Sequence, residues 1–353
     1  MAERYPVAEL RSLAASILRA AGLQDEAALA VATGLVEADL YGHSTHGLAL
    51  LSDYVAEIDR GVMKTKGRPA IVSDLGAVAC WDAGRLPGIW ATALAVEAAT
   101  GKAKTLGVGA VAVRRSHHIG CLASFLESPA RDGFVVIVMC SDPSDAHVAP
   151  FGGITPVLTP NPIAAGIPRY PDPILIDIST SITTAAMCGR SKAAGQRLPG
   201  AWMLDAAGRI SDDPGALETG GSILPIGGLD HGHKGFALSL LIESLTQGLS
   251  GHGRVDAPKD WGASVLVLAF APSAFGSTEA FCRQVEGITD ACKASAPIPD
   301  GDGVRLPGER ALAKKREAER RGIELDPRIA TQLTELAARF GMAMAQGRSV
   351  SPA

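Results

Sequence analysis

Aromatic residues make up only 5% of the 353 positions, too few for a surface that stacks the bases of single-stranded nucleic acid. An excess of positive charge is missing as well. The formal net charge of -4 offers no electrostatic footprint for nucleic acid or an anionic membrane. No apolar run approaches the roughly 20 residues of a membrane-spanning helix, and the opening Met1-Ala2-Glu3-Arg4-Tyr5 has no charged-then-apolar leader pattern. The six cysteines (Cys80, Cys121, Cys140, Cys188, Cys282, Cys292) never form Cys-x-x-Cys, which removes a zinc ribbon or thioredoxin-type pair. These absences predict a soluble, cytoplasmic protein with buried, reduced thiols.

Two nucleotide signatures are also missing. A Rossmann site needs Gly-x-Gly-x-x-Gly between a strand and a helix. Here Gly107-Val108-Gly109 precedes a strand and no third glycine follows at that spacing. Gly232-His233-Lys234-Gly235 lacks both the leading glycine and the hydroxyl residue after lysine that a phosphate-binding loop requires.

What remains is an ordinary globular composition, 47% hydrophobic and 20% charged, long enough for two or more lobes. Alanine- and leucine-rich periodicity predicts helix from Pro6 to Glu57, then short strands and turns over 61–86. Helices are expected over Pro87–Lys104, Leu122–Asp132, Thr183–Ala194, Gly235–Leu249, Ser273–Cys292 and Arg328–Ala345. Strands are expected over Val108–Val113, Phe134–Cys140, Pro173–Ile178 and Ser264–Phe270, with loop over 215–235. The charged segment 309–321 reads as a solvated helix face. The mixture predicts an α/β (α+β mixed) architecture. Its expected parts are a helical N-terminal portion (1–75), a mixed-sheet core (76–300) and a C-terminal helical segment (301–353).

Chemistry concentrates at His43-Ser44-Thr45-His46-Gly47, where two imidazoles and two hydroxyls fall within four residues ahead of the apolar series Leu48, Leu50, Leu51, Val55. That pattern predicts proton-transfer groups at a helix start, beside free backbone N–H groups. An imidazole titrating near pH ~6.5 suits acid–base work on an oxygen-bearing substrate. Ser44 or Thr45 as a simple N-cap, with solvated histidines, fits the same residues. Three further segments stand out: Arg114-Arg115-Ser116-His117-His118-Ile119-Gly120, the Gly/Pro-rich 150–162, and Asp177-Ile178-Ser179-Thr180-Ser181. Each also has a plain reading as turn or strand-end chemistry.

Their order along the chain resembles the malate/L-lactate dehydrogenase-like oxidoreductases, the type unrelated to the Rossmann-fold lactate and malate dehydrogenases. The resemblance rests on Asp39-x-x-Gly42 with Thr45-His46-Gly47, Ser116-x-His118-x-Gly120, Pro150-Phe151-Gly152, Asn161-Pro162-Ile163-Ala164 and Asp177–Ser181. It continues through Leu224–Gly228, Lys234–Leu238, Leu249-Ser250-Gly251 and Leu306-Pro307-Gly308-Glu309. It implies a non-Rossmann nicotinamide-binding sheet domain, NAD or NADP as cofactor, a homodimer, a small-molecule substrate and no bound metal. By resemblance His46, with Thr45 beside it, is the proton donor and acceptor, and His118 is the second active-site histidine. Ser141, Asp177, Ile178, Ser179, Thr180, Ser181, His233, Lys234, Pro307, Gly308 and Glu309 match cofactor-contacting segments.

Departures from the family pattern concern the substrate. Leu50 stands where the family often carries an arginine able to clamp a carboxylate. Tyr41 and Ser44 replace a frequent arginine and aspartate, and Gly228–Lys234 reads as a longer loop with two extra histidines, His231 and His233. Arg114, Arg190 or Lys192 are candidates for the missing cation. The implied reaction is hydride transfer between nicotinamide and a 2-hydroxy acid/2-oxo acid pair, or reduction of cyclic imine carboxylates or N-alkyl imino acids. A reading from another class is a metal-dependent hydrolase built from His43, His46, His117, His118, His231 and His233.

Overall fold

The computed structural model describes residues 3–344 and 346–349. A seven-stranded sheet organises the chain: β1 (Ala70–Leu75), β2 (Val78–Asp82), β3 (Val108–Ser116), β4 (Val135–Ser141), β5 (Ile163–Ile167), β6 (Ile174–Ile178) and β7 (Ala263–Phe270). Its order is β1-β2-β3-β7-β4-β5-β6. Only β2 and β3 run parallel, joined by a helix; every other pair is antiparallel. Such a sheet has no row of parallel strand ends to make a Rossmann crevice, consistent with the missing glycine fingerprint.

Helix α4 (Gly88–Leu106) packs on one face of the sheet, α2 (Asp25–Tyr41) packs on α4, and α1 (Val7–Ala20) on α2, with α3 (Leu51–Asp59) joining the same apolar core. Alanines 91, 95, 99 and 103 of α4 pack on Val111 and Val113 of β3 and on Val265 and Val267 of β7, all buried. The approach is close enough that a side chain at Gly109 would meet the Ala99 carbonyl at 2.0 Å. Each fully buried valine of this layer contributes about 1.5–3 kcal/mol. The alternate strand residues Ala112, Met139 and Leu266 face the other way onto Ile242, in helix α7 (Gly228–Glu243). Helix α5 (Glu127–Arg131) is short, and α6 (Ala185–Ala193) packs in a separate small core around Val148, Leu158, Cys188, Met203 and Ile223. Helices α8 (Thr278–Lys293), α9 (Glu309–Arg321) and α10 (Pro327–Arg339) complete the chain.

Several elements differ from their sequence expectation. The helix expected over Pro6–Glu57 is three helices. It breaks after Ala20 and again at Gly42, whose left-handed φ of 84° caps α2. The expected loop 215–235 holds a short helical turn, one two-residue strand (Ser222–Ile223) and the first two turns of α7, so His231, His233 and Lys234 are helical. The last helix ends at Arg339, and the expected end at Ala345 lies outside the described residues, as do Met1 and Ala2. All six cysteines are free, but only Cys121 and Cys188 are buried; Cys80, Cys140 and Cys282 are half-buried and Cys292 is exposed on α8. Segment 309–321 is more than a solvated face. Leu312 is buried, and Lys315 bridges Glu37 (2.7 Å) and Glu127 (2.9 Å), tying α9 to α2 and α5.

Candidate active site

The His43–Gly47 segment lies between α2 and α3 as one 3-10 turn (Ser44–His46), and a second (Leu48–Leu50) then runs into α3, so the imidazoles sit just ahead of the helix start. No hydroxyl caps a helix there. Thr45 Oγ1 is 3.0 Å from His46 Nδ1, and Ser44 Oγ accepts from Arg190 at 3.5 Å. Asp39 holds the turn from beneath, its Oδ2 accepting the Leu48 N–H at 2.8 Å. Gly47 is required by space: any Cβ would sit 2.2–2.5 Å from the Asp39 carboxylate. Burial raises the Asp39 carboxyl to about 7, opposed by that N–H bond.

His46 and His118 face one cavity of about 430 Å³, with ring centroids 5.8 Å apart. Thr45, Leu50, Ser141, Asn161, Asp177 and Ser179 also line it. With Thr45 on Nδ1, His46 keeps Nε2 for a ligand. At His118 the Gly120 N–H donates to Nδ1 (3.4 Å). Nδ1 is therefore the acceptor atom, and the Tyr54 hydroxyl donates to it at 2.9 Å. The neutral ring then carries its proton on Nε2, as a donor toward a ligand. Trp261 stacks on the ring at 4.3 Å and fixes its plane.

Burial first, and the neighbouring His43 second, lower His46 to about 4. Burial, then His46 and His117, push His118 well below its ordinary value. Both imidazoles are therefore neutral at pH 7 in the open cavity. A buried neutral imidazole is a base ready to take a proton, and it becomes an acid once substrate binding favours its charged form.

The next residue, His117, does not reach the cavity. It is fully buried with Nε2 3.1 Å from Glu57 Oε2, and its ring stands edge-on to Tyr54 and Trp261. Of the candidate cations, Arg114 is paired with Asp82 at 3.0 Å and Lys192 with Glu218. Arg190 rests on Ser44, and none of the three lines the cavity. No arginine or lysine lines it among the described residues, whereas Asp142, Asp145 and Asp177 do. Tyr41 is a packing residue, buried with its hydroxyl donated to Glu127 at 2.6 Å.

A second cleft of about 570 Å³ adjoins the first, sharing His43 and Asp177. It is lined by Ile178, Pro307 and Gly308, and by the cations Arg305, Arg310 and Lys314 where α9 begins. Other expected residues are engaged elsewhere. Thr180 Oγ1 donates to the Pro160 carbonyl, Ser181 Oγ to Thr183 and Ser179 Oγ to Ser181. Ser141 Oγ contacts Thr246 Oγ1 (2.7 Å) and accepts from Gln247 Nε2 (3.0 Å). Glu309 accepts the Leu306 N–H at 3.1 Å and pairs with Lys293. His233 and Lys234 are exposed on α7, His233 lying edge-on to Phe151 at 5.6 Å.

The six histidines proposed for a metal hydrolase do not converge. Among the described residues no potential ligand cluster contains two of them. Sequence reasoning missed Tyr54 and Trp261, which hold His118, and the carboxylates Asp142 and Asp145. None of these stands in a motif, and Tyr54 meets His118 across 64 residues.

The malate/L-lactate dehydrogenase family profile matches residues 5–334. A (2R)-3-sulfolactate dehydrogenase (NADP(+)) from Chromohalobacter salexigens is 35% identical over 90% of this chain and 93% of its own length. A Delta(1)-pyrroline-2-carboxylate reductase from Ancylobacter novellus is 30% identical over 95% and 98%. The structure of malate dehydrogenase from Pyrococcus horikoshii superposes with a TM-score of 0.87 at 28% identity, covering 97% of this chain and 96% of that one. The cavity built around two half-buried imidazoles thus sits in a chain that belongs to the malate/L-lactate dehydrogenase family and is an oxidoreductase.

Proposed function

We propose that this oxidoreductase moves a hydride between NAD or NADP and a 2-hydroxy acid/2-oxo acid pair, with His46 as proton acceptor and donor. The observation that carries the reading is the pair of neutral imidazoles, 5.8 Å apart, on one cavity with their Nδ1 atoms already engaged. In alcohol oxidation His46 Nε2 takes the hydroxyl proton as the hydride leaves the carbinol carbon. In reduction the protonated ring returns that proton to the forming alkoxide, so no full negative charge builds up. His118 donates its Nε2–H to the substrate oxygen and orients it. Thr45 sets the His46 tautomer.

The residues present fit a dinucleotide. Two clefts meet at Asp177 and His43, one free of lysine and arginine, where a nicotinamide ring can lie, and one lined by three cations beside the start of α9, where pyrophosphate chemistry is favoured. When bound, the nicotinamide supplies the hydride acceptor or donor. Asp177, Ile178, Pro307 and Gly308 line the path, with Ser141 and Ser179 at its inner wall. The hydroxyls of Thr180 and Ser181 and the carboxylate of Glu309 shape these walls through their backbone bonds. His233 and Lys234 join the cofactor-facing set only if α7 lies along the bound dinucleotide.

A second reading, reduction of an imine carboxylate or N-alkyl imino acid, is favoured by one observation. The cavity offers three carboxylates and no arginine or lysine, a setting that tolerates a cationic iminium better than a second carboxylate. The test is loss of 340 nm absorbance with NADH and with NADPH. The panel holds pyruvate, oxaloacetate, a bulkier 2-oxo acid, pyruvate plus methylamine, and piperideine-2-carboxylate. Turnover of any member supports hydride transfer, and the preferred member separates the two readings. Failure of both cofactors to bind would remove them.

A homodimer in the cytoplasm completes the proposal. Leu229, Leu240 and Leu241 of α7 are each about half exposed, an apolar row that a second copy could cover, and six free thiols suit a reducing compartment. No helix of the described residues is long and apolar enough to cross a membrane. Sedimentation at micromolar concentration reads the stoichiometry directly.

A further inference from the structure

We propose that His43, Cys121 and Asp177 form a binding site for one thiophilic divalent cation of the zinc class, at the seam between the two clefts. The three come from separate parts of the fold: the turn after α2, the segment after β3 and the end of β6. One ligand atom from each lies within 4.8 Å of the other two, and Cys121 Sγ is 3.6 Å from Asp177 Oδ2. A tetrahedral zinc with ordinary bond lengths sets sulfur and oxygen ligands about 3.5 Å apart, so this pair is already at the required spacing.

The ligand types suit the ion. Thiolate, imidazole and carboxylate together select zinc-like cations over magnesium or calcium, which prefer oxygen alone. The Ala123 N–H donates to Asp177 Oδ2 at 2.9 Å and orients the carboxylate, as an outer-shell partner does at a metal site. His43 is exposed on its turn, so its ring can swing the last ångström inward, while Cys121 is reached through the cavity it lines. A fourth position stays open toward the cavity. Burial holds the Cys121 thiol well above its ordinary value, so it is protonated and inert by itself. Binding breaks the S–H bond, forms the metal–sulfur bond and releases the proton to solvent.

Occupation has a consequence that rests on the dehydrogenase reading. His43 and Asp177 belong to both clefts, so a bound cation blocks the seam through which a dinucleotide would span them. Zinc is then a reversible inhibitor, competitive with the cofactor and relieved by a chelator.

The test uses the full-length protein stripped with EDTA and titrated with Co²⁺ as the probe, followed by Zn²⁺ displacement. The expected result is one Co²⁺ per chain, with visible bands of tetrahedral intensity and a near-ultraviolet thiolate charge-transfer band. Cys121→Ser should abolish that band while circular dichroism is unchanged. His43→Gln, on an exposed turn where folding is not at stake, should weaken binding at least about tenfold. No thiolate band, or a band that survives in Cys121→Ser, overturns the site. A Zn²⁺ complex that leaves the apparent KM for NAD(P)H unchanged overturns the inhibitory clause alone. The binding readout needs no turnover, so a metal-free enzyme that binds neither NADH nor NADPH refutes the dehydrogenase reading without touching the metal site.

Discussion

The two clefts that meet at His43 and Asp177 divide the chemistry between them. The inner one is lined by His46 and His118, both half-buried, carries three carboxylates and has no lysine or arginine on its walls among the described residues. The outer one opens at the start of α9 and is lined by Arg305, Arg310 and Lys314. Proton transfer benefits from the first setting, where burial keeps the imidazoles neutral and a moved proton changes their charge in a low-dielectric surround. Anion binding benefits from the second, where exposed cations remain hydrated and their attraction is screened by salt. The lesson is that catalytic groups and affinity groups here occupy different compartments, so they can be damaged separately.

The largest break falls on the inner cleft. His46→Ala should lower turnover by about 10²–10⁴-fold while the cofactor's Kd, read by nicotinamide fluorescence, stays near the wild-type value. Equal turnover would remove His46 from the chemistry. Leu50→Arg puts a cation into a wall that has none. It should lower the KM for simple 2-oxo acids by about 10- to 100-fold, the worth of one charge-assisted hydrogen bond. No gain in a folded variant would mean that the carboxylate is held elsewhere or that the substrate lacks one there.

Tyr54→Phe removes the hydroxyl that donates to His118 Nδ1 while keeping the packed ring. A roughly tenfold fall in kcat/KM is expected, with destabilisation of about 1 kcal/mol in urea unfolding. A purely structural tyrosine would show the second effect without the first. The smallest effect belongs to the outer cleft. Arg305→Ala with Lys314→Ala should weaken cofactor binding several-fold and flatten its salt dependence, leaving kcat unchanged.

The sequence is legible where one physical signal dominates. The buried strands β3, β4 and β7 and the alanine-rich α4 follow from hydrophobic runs bounded by glycine and proline. His46 and His118 share one cavity, a pairing that only the family resemblance implied, since each motif alone also reads as turn chemistry. The break between α2 and α3 was hidden because apolar spacing continues through Leu48, Leu50 and Leu51, while the turn itself depends on Asp39 reaching Leu48 across nine positions. The start of α7 was hidden by its glycines, which read as loop although Gly232 and Gly235 are buried in the helix. Gly235 has Ile226 and Thr180 so close that any Cβ would strike their backbones. Lys315 looks solvated in the sequence because its partners Glu37 and Glu127 are distant in the chain. Trp261 and Tyr54 escaped for the same reason: their role exists only after the fold brings them to His118.

Catalysis turns on a neutral, half-buried His46 acting as base, and kcat/KM for 2-hydroxy acid oxidation against pH tests it most directly. Its pKa is lowered to about 4, so the basic form persists above that pH and is lost below it. The predicted profile is flat from neutral to about pH 5 and falls through about pH 4, with activity restored when samples are returned to pH 7. A break near the ordinary imidazole value of ~6.5, or a wild-type profile shaped like that of His46→Ala, would contradict it.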